Sequence, residues 1–378
     1  MREGWEKKKL GEISSVEYGF TSKSVLDGTL RYIRITDIDK EGNLLLTDKK
    51  YIDDNEYARK YQLKENDILM ARTGATFGKV LLYKDYESSV FASYLIRINF
   101  EINMINKLYW YFSHSSSYWN QANNLSSGSA QPHFNGKALK EVIFSYPTSL
   151  EEQKQIVNTL DLAFKQIDQA KANLEKNLAN TKELFASKLN EVFSQRGEGW
   201  VEKKLGDVCE NLDNQRIPIT KNKREEGNIP YYGASGIVDY VKDYIFDEDL
   251  LLVSEDGANL LARTYPIAFS ISGKNWVNNH AHVLKFESMI SQKFVEYYLN
   301  SIKLDAYVSG MAQPKLNQRM LNSISVPYPN IEIQKSILGN INHLDISIQK
   351  LQTHYQQNLN NLEELKKSIL EKAFKGEL

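Results

Sequence analysis

Two long stretches of this chain carry apolar residues at alternating intervals of three and four, which is the heptad pattern of a coiled coil. The first stretch covers residues 149–196 and the second covers residues 330–378. A narrow apolar stripe on so long a helix has to be covered by another helix along its length. We therefore predict two long antiparallel helices that form an intramolecular coiled coil.

The seams of the two stretches correspond at one fixed offset, which places Ile337 in the second stretch where Ile156 lies in the first. An asparagine occupies one seam position in each, Asn177 and Asn358, at the same offset. Ser149 and Asn330 are the expected N-caps. The predicted seams comprise Ile156, Leu160, Ala163, Ile167, Ala170, Leu174 and Leu184 in the first helix, and Ile337, Ile341, Leu344, Ile348, Leu351, Tyr355, Leu362, Leu365 and Ile369 in the second.

The segments before the helices repeat as well. Residues 4–13 recur as residues 199–208, and the loop 127–135 recurs as 309–317. The chain is therefore one unit written twice, each copy consisting of an opening strand, a globular segment, a loop and a long helix. We predict an α+β fold with a pseudo-twofold repeat. Mixed α/β domains at residues 1–148 and 197–329 are separated by long helices at 149–196 and 330–378.

Local patterns predict several elements inside the globular segments. Alternation predicts a half-buried strand at residues 32–38, and residues 67–83 read as two strands around a turn that contains Gly74 and Gly78. Residues 106–112 and 292–300 are predicted short helices. The shared loop is predicted to be scaffold, with Gly128 and Gly310 at positive φ, Pro132 and Pro314 in an extended turn, and Asn135 and Asn317 as helix caps.

Composition limits the class of protein. Hydrophobic residues make up 42% of the chain, with 22 Tyr and 15 Phe, so real cores are expected. There is no apolar run of membrane-spanning length, and residues 1–9 lack the apolar segment of a signal peptide, so we expect a cytoplasmic protein. Cys209 is the single cysteine, which excludes disulfides and cysteine-based zinc sites. A net charge of −1 gives no overall signal for nucleic-acid binding.

Signatures of catalysis or cofactor binding are weak. Residues 74–79 resemble a phosphate-binding loop but are one residue short, and Val80 stands where a magnesium-binding Ser or Thr would be needed. A hairpin turn is the better interpretation. His280 and His282 lack a third metal ligand at recognisable spacing, so polar strand residues are the better interpretation than a metal site. The chain is predicted to be non-catalytic.

Polar residues that differ between the two copies are the better candidates for specific binding, because shared residues are better explained as scaffold. Arg, Lys and Asn side chains are the groups that read base edges in the major groove of DNA. The candidates are Arg34, Thr36, Arg72, Thr73 and Lys79 in the first domain, and Tyr231, Tyr232, Ser235, Arg263, Lys274, Asn278, Asn279 and His280 in the second.

The chain resembles the specificity subunits of type I restriction–modification systems. The resemblance covers nearly all residues and is carried by the repeated openings at 4–11 and 199–206, by residues 67–74, 230–236 and 276–280, and by the closing segment 371–378. It implies a non-catalytic chain with two target-recognition domains, each reading one half of a bipartite double-stranded DNA target. It also implies that the helices set the spacer and hold two methyltransferase subunits for adenine methylation, and that restriction/translocase subunits join for cleavage. No cofactor would bind this chain, whereas S-adenosylmethionine, ATP and magnesium would belong to the partner subunits.

Other functions remain open at this point. A specificity chain of a related type II system would have the same pattern. A coiled-coil scaffold whose domains bind proteins would suit the near-neutral charge and the abundant tyrosines. Salt-dependent DNA binding would separate these classes, because phosphate contacts release counterions. An autonomous nuclease or methyltransferase is the least favoured class.

Overall fold

The computed structural model describes residues 2–39, 41–84, 87–127, 133–310 and 313–378. The chain forms two compact units, the first made of residues 1–174 and 357–378 and the second of residues 175–356. Each unit thus combines one globular domain with a part of both long helices. The predicted α+β architecture, with two mixed domains and two long helices, is confirmed.

The first domain begins and ends with strands that pair with each other. Its strands are β1 (Trp5–Lys9), β2 (Ser14–Tyr18), β3 (Leu30–Ile33), β4 (Tyr51–Ile52), β5 (Ile68–Ala71), β6 (Val80–Leu82), β7 (Ser89–Phe91), β8 (Leu95–Phe100) and β9 (Ile143–Pro147). Its helices are α1 (Leu10–Ile13), α2 (Glu56–Arg59), α3 (Asn106–Phe112), α4 (Ser116–Leu125) and α5 (Gly136–Lys140), followed by the long α6 (Leu150–Ser194).

The main sheet of the first domain is antiparallel, in the order β2-β8-β5-β6. A smaller sheet has the order β4-β3-β7, in which β3 and β7 run parallel. The opening strand β1 pairs antiparallel with β9, directly before α6. This pairing brings the first residues of the domain to the start of its long helix.

The second domain repeats this plan with different lengths. Its strands are β10 (Val201–Lys204), β11 (Glu210–Asn211), β12 (Ile229–Gly233), β13 (Gly236–Val241), β14 (Phe246–Asp247), β15 (Leu250–Ser254), β16 (Ala268–Ile271), β17 (Lys274–Val277), β18 (Ala281–Lys285) and β19 (Ser325–Tyr328). Its helices are α7 (Asn259–Ala262), α8 (Met289–Ser301) and α9 (Gln318–Asn322), followed by the long α10 (Ile331–Lys375).

The sheets of the second domain correspond to those of the first, with one more strand in the smaller sheet. An antiparallel sheet has the order β11-β18-β15-β16, and a mixed sheet has the order β13-β12-β17-β14. The opening strand β10 pairs antiparallel with β19, directly before α10. The repeat in the sequence is therefore a repeat of strand pairing and helix entry.

The two long helices run antiparallel where they meet within the first unit. Lys171 of α6 contacts Glu363 of α10 at 2.7 Å, and Asp168 contacts Lys366 at 3.3 Å. Moving three residues back along α6 therefore moves three residues forward along α10. In the second unit, Gln352 donates to the Thr181 hydroxyl at 3.1 Å.

The ends of the long helices are embedded in the domain cores. In the first unit, the core combines residues of α3, β9, α6 and the last turns of α10, and Phe112 meets Phe374 at a ring separation of 5.4 Å. In the second unit, Phe193 of α6 meets Phe294 of α8 at 5.3 Å. Phe193 and Phe374 are related by the same offset as the two seams, so the repeat extends to these contacts.

Several local predictions are confirmed. Ser149 accepts from the Glu152 N–H at 3.5 Å, and Asn330 accepts from the Ile333 N–H at 3.1 Å. Asn135 and Asn317 cap α5 and α9 with their side chains, and Gly310 has a φ of +83°. Gly128 and Pro132, with the rest of 128–132, lie outside the described residues. The short helices occur at Asn106–Phe112 and Met289–Ser301.

Two local predictions were wrong. The strand predicted at residues 32–38 ends at Ile33, because Asp37 accepts from the Arg34 N–H at 2.7 Å and folds the chain into a 3₁₀ turn. Three predicted seam residues, Leu184, Leu351 and Leu365, are 42–46% exposed. Near their ends the helices instead bury a broader face against the domains, with Val157, Phe164, Leu338 and Phe374 among the buried residues. The strict seam therefore underestimates how much of each helix faces a globular domain.

Candidate functional site

In the first domain, polar and aromatic residues lie at the ends of three neighbouring strands of the main sheet, all on the same side of the sheet's strand ends. Tyr18 ends β2, Arg72 follows β5, and Tyr94 precedes β8. The register pairs Tyr18 with Ile96 and Ala71 with Leu95. Tyr18, Arg72 and Tyr94 therefore lie close together, where these three strands end. The Arg72 guanidinium lies 5.6 Å from the Tyr18 ring centroid and 5.1 Å from that of Tyr94.

The segment that carries Arg34 and Thr36 packs against the turn that follows Arg72. The Thr76 hydroxyl donates to the Ile35 carbonyl at 3.1 Å. A cleft of about 380 Å³ contains Arg34, Thr36 and Tyr94 in its lining. Arg34 donates to Asp37 from Nε at 3.0 Å and from Nη2 at 2.6 Å, and this hydrogen bonding raises the pKa of Arg34. The structure thus brings Arg34, Thr36 and Arg72 onto one part of the domain.

Thr73 and Lys79 belong to the turn between β5 and β6. Ile68 pairs with Leu82 and Met70 with Val80, so the predicted hairpin is confirmed. Gly74 and Gly78 have φ values of +78° and +75°, which suits a tight turn. Thr73 is only 8% exposed, whereas Lys79 is half-buried.

Three candidates in the second domain have internal partners. The Tyr231 hydroxyl accepts from the Ile219 N–H at 3.0 Å, and its ring is buried. Asn278 is buried and accepts from the His280 N–H at 2.8 Å. Arg263 donates to the carbonyls of Leu299 and Ile302 at the end of α8, at 3.3 and 2.6 Å. These contacts give the three side chains structural roles within the domain.

The remaining candidates of the second domain are more accessible. Ser235 and Asn279 are exposed, Tyr232 is half-buried, and the Tyr232 carbonyl accepts from the Asn278 N–H at 3.0 Å. Tyr232 and residues 278–280 are therefore close together. Lys274 lies at the other end of β17, with its amine 4.6 Å from the Tyr244 ring centroid. The exposed His280 contacts Asp256 at 2.8 Å.

A charged network lies beneath His280. His282 Nδ1 contacts Asp213 at 2.6 Å, and His282 Nε2 contacts the Leu316 carbonyl at 2.7 Å. Glu255 contacts Arg216 at 2.7 Å and Lys315 at 3.1 Å. Burial acts to raise the pKa of Asp213 and Glu255, but hydrogen bonds and charges from these partners outweigh it and hold the pKa of both below its usual value.

Within the described ranges, no cluster of three or more His, Cys, Asp or Glu is arranged to hold a metal ion. Burial raises the pKa of Cys209 to about 12, so its thiol is not activated. No helix in the described part of the chain is both long enough and apolar enough to cross a bilayer.

Backbone hydrogen bonds show which residues occupy equivalent positions in the two domains. In the first domain, Arg72 N–H donates to Tyr94 and its carbonyl accepts from Phe134 N–H. In the second, Glu255 N–H donates to His280 and its carbonyl accepts from Leu316 N–H. Arg72 and Glu255 therefore occupy the same place on the same scaffold with side chains of opposite charge.

Sequence reasoning missed several residues of these sites. Tyr18 and Tyr94 were not candidates, and Arg216 and Lys315 were not connected to Glu255. Tyr18 lies at the end of β2 and Tyr94 directly before β8, and neither strand was predicted from the sequence. Finding these residues would have required the register of strands that are far apart in sequence.

Comparisons with known proteins agree with this architecture. The profile of the family described as "Type I restriction modification DNA specificity domain" matches residues 2–180 and 197–361. A putative type I restriction enzyme specificity subunit of Haemophilus influenzae is 31% identical over 185 residues, a match covering 44% of this chain and 48% of that protein. The EcoprrI specificity subunit of Escherichia coli is 23% identical over 360 residues, covering 89% of this chain and 86% of that protein.

Solved structures show the same fold. The crystal structure of the HsdS subunit from Thermoanaerobacter tengcongensis superposes with a TM-score of 0.62 at 18% identity, covering 100% of this chain and 98% of that one. A chain from a structural study of a type I restriction–modification assembly gives a TM-score of 0.79 at 16% identity, covering 100% and 99%. With both repeats matched by the family profile, the chain belongs to the family of type I restriction–modification DNA specificity subunits.

Proposed function

We propose that this chain supplies the DNA sequence specificity of a type I restriction–modification complex, with each globular domain reading one half of a bipartite duplex target. The observation that carries this proposal is the pair of counterparts Arg72 and Glu255. One scaffold presents a guanidinium in the first domain and a carboxylate bound by two cations in the second. Two readers built in this way would recognise different bases, so the two half-sites should differ.

The long helices would space the two domains and hold two methyltransferase subunits, and restriction/translocase subunits would join for cleavage. This chain would take no part in the chemistry. S-adenosylmethionine, ATP and magnesium would be bound by the partner subunits, and adenine would be the methylated base. Support comes from the family membership and from the 45-residue length of each helix, about 68 Å.

The direct test is to express the chain with its cognate methyltransferase in cells that lack other methylation, and then to map modified adenines across the genome. The expected result is one bipartite motif with two different halves, present only when both proteins are made. The purified chain alone should transfer no methyl group from S-adenosylmethionine to DNA. Methylation without the chain, or methyl transfer by the isolated chain, would contradict the proposal.

Salt dependence distinguishes DNA recognition from a protein scaffold. Binding of the complex to a duplex that contains the mapped motif should weaken steeply with salt, because neutralised phosphates release counterions. A duplex with both half-sites scrambled is the matched control. It should show the same salt slope with much weaker binding. Equal affinity for both duplexes would contradict a role in specificity.

A further inference from the structure

The rings of Tyr18 and Tyr94 both contact the guanidinium of Arg72, and we call this pair its aromatic clamp. Both ring centroids lie within the roughly 6 Å over which a cation and an aromatic ring attract each other. The Tyr18 hydroxyl also accepts from the Gly136 N–H at 2.7 Å, which anchors that ring to the start of α5. Tyr18 and Tyr94 remain 39% and 49% exposed, so the Arg72 side chain lies near the surface.

The side-chain donors of Arg72 have no acceptor among the described residues. Its Nε is buried without a hydrogen-bond partner, and neither terminal nitrogen bonds to a described residue. Because those terminal nitrogens are not among the buried unpartnered atoms of the described chain, they reach solvent. Three other buried or partly buried arginines are satisfied, since Arg31 and Arg97 contact carboxylates and Arg263 contacts carbonyls. Arg72 is thus an oriented cation whose donors remain available.

The fold does not require an arginine at this position. Its counterpart Glu255 makes the same two backbone hydrogen bonds, and its carboxylate is satisfied by Arg216 and Lys315. An acidic residue at this position therefore makes the same two backbone hydrogen bonds as arginine. The aromatic clamp and the available donors belong to the first domain alone among the described residues, which indicates a ligand specific to that domain.

We propose that Arg72 recognises a guanine in the half-site read by the first domain, with Tyr18 and Tyr94 as positioning residues. This inference rests on the proposed function. Guanine is the base that offers two adjacent acceptors, O6 and N7, in the major groove, and they match two guanidinium donors. Contact with two aromatic rings restricts the directions in which those donors can point, which matters more for reading a base edge than for contacting a phosphate.

The first test uses the wild-type chain with its methyltransferase. The half-site of the first domain is the half that changes when residues 12–126 are exchanged for those of another specificity subunit. Replacing each guanine of that half by 7-deazaguanine removes N7 and should weaken binding at one position only, while the same change in the other half leaves this contact intact. A first-domain half-site without any G·C pair, or one indifferent to 7-deazaguanine at every position, would overturn the proposal.

The second test uses variants in the same complex. Arg72→Ala should lose about 5- to 150-fold of the discrimination at that one position and become insensitive to 7-deazaguanine there. Tyr94→Ala should lose part of this discrimination, whereas Tyr94→Phe keeps the ring and should retain it. Arg59→Ala removes an exposed arginine paired with Asp54 in the same domain and is the matched control.

The outcomes distinguish failure of the guanine assignment from failure of the proposed function. A wild-type complex that lacks sequence preference contradicts the proposed function itself. A selective wild-type complex whose Arg72→Ala variant keeps every base preference, while binding all duplexes more weakly, shows a phosphate contact and overturns only the guanine assignment. If Arg72→Ala fails to fold, Arg72→Lys keeps a cation without the planar fork and should still lose discrimination, and the 7-deazaguanine result stands independently.

Discussion

Gln153 and Gln334 occupy equivalent positions of the repeat and make the same kind of joint between a globular domain and its long helix. Gln153 donates to the Pro147 carbonyl at 2.9 Å and accepts from the Ile105 N–H at 2.9 Å. Gln334 donates to the Pro329 carbonyl at 2.8 Å and accepts from the Ser291 hydroxyl at 3.0 Å. Both side chains are at most 1% exposed, so each amide makes these hydrogen bonds in a buried position at the first turn of a helix.

Replacing either glutamine by alanine should destabilise its own unit. Gln153→Ala leaves the Ile105 N–H and the Pro147 carbonyl without their partner, at a cost of about 1–3 kcal/mol in the free energy of unfolding. Urea unfolding measures this change, and Gln155→Ala, on the exposed face one position beyond Lys154, is the control. Equal stability of the Gln153→Ala and Gln155→Ala variants would show that the buried amide does not stabilise the joint.

The Asp213–His282 pair predicts a particular dependence on pH. The pKa of Asp213 is below 3.8 in the folded chain, so its ionised form stabilises the fold above that ordinary value, and this stabilisation is lost as pH falls through the folded pKa. Asp213→Asn should lower the free energy of unfolding by about 2 kcal/mol at pH 7. Its difference from the wild type should narrow as pH falls from about 4 to about 2. A constant difference across that range would contradict the assignment.

Exchange of one domain should change one half of the target. Replacing residues 12–126 by the matching segment of another specificity subunit leaves the β1–β9 pair and the long helices unchanged. Adenine mapping in cells should then show a new first half beside an unaltered second half. The reciprocal exchange in the second domain is the control. Simultaneous change of both halves would show that the domains do not read independently.

The long helices should act as the ruler for the spacer. Inserting seven residues after Ala179 keeps the heptad phase and adds roughly 10 Å, about three base pairs of duplex rise. A matched insertion after Asn360, the equivalent position of the second helix, keeps the two helices equal in length. The mapped motif should keep both halves and gain a longer spacer. An active variant with an unchanged spacer would show that another part of the protein sets the distance.

The long helices were predictable because their signal is local and repeated over many turns. The hairpin at Gly74 and the caps at Asn135 and Asn317 were predictable for the same reason. The strand ending at Ile33 was misjudged because the Arg34–Asp37 turn overrides the alternation of apolar residues. The clamp around Arg72 could not be predicted, since it depends on the register of three strands that are far apart in the chain.

The core of the first unit includes residues from the end of α10, which affects when this unit can fold during synthesis. Its core includes Leu370, Ala373 and Phe374, and Arg2 donates to the Gly376 carbonyl at 2.9 Å. The first domain therefore lacks part of its core until residues 370–374 have been synthesised. A stop codon at Leu370 would leave Phe112 without its contact to Phe374 and damage the first domain, although residues 1–148 had already been translated.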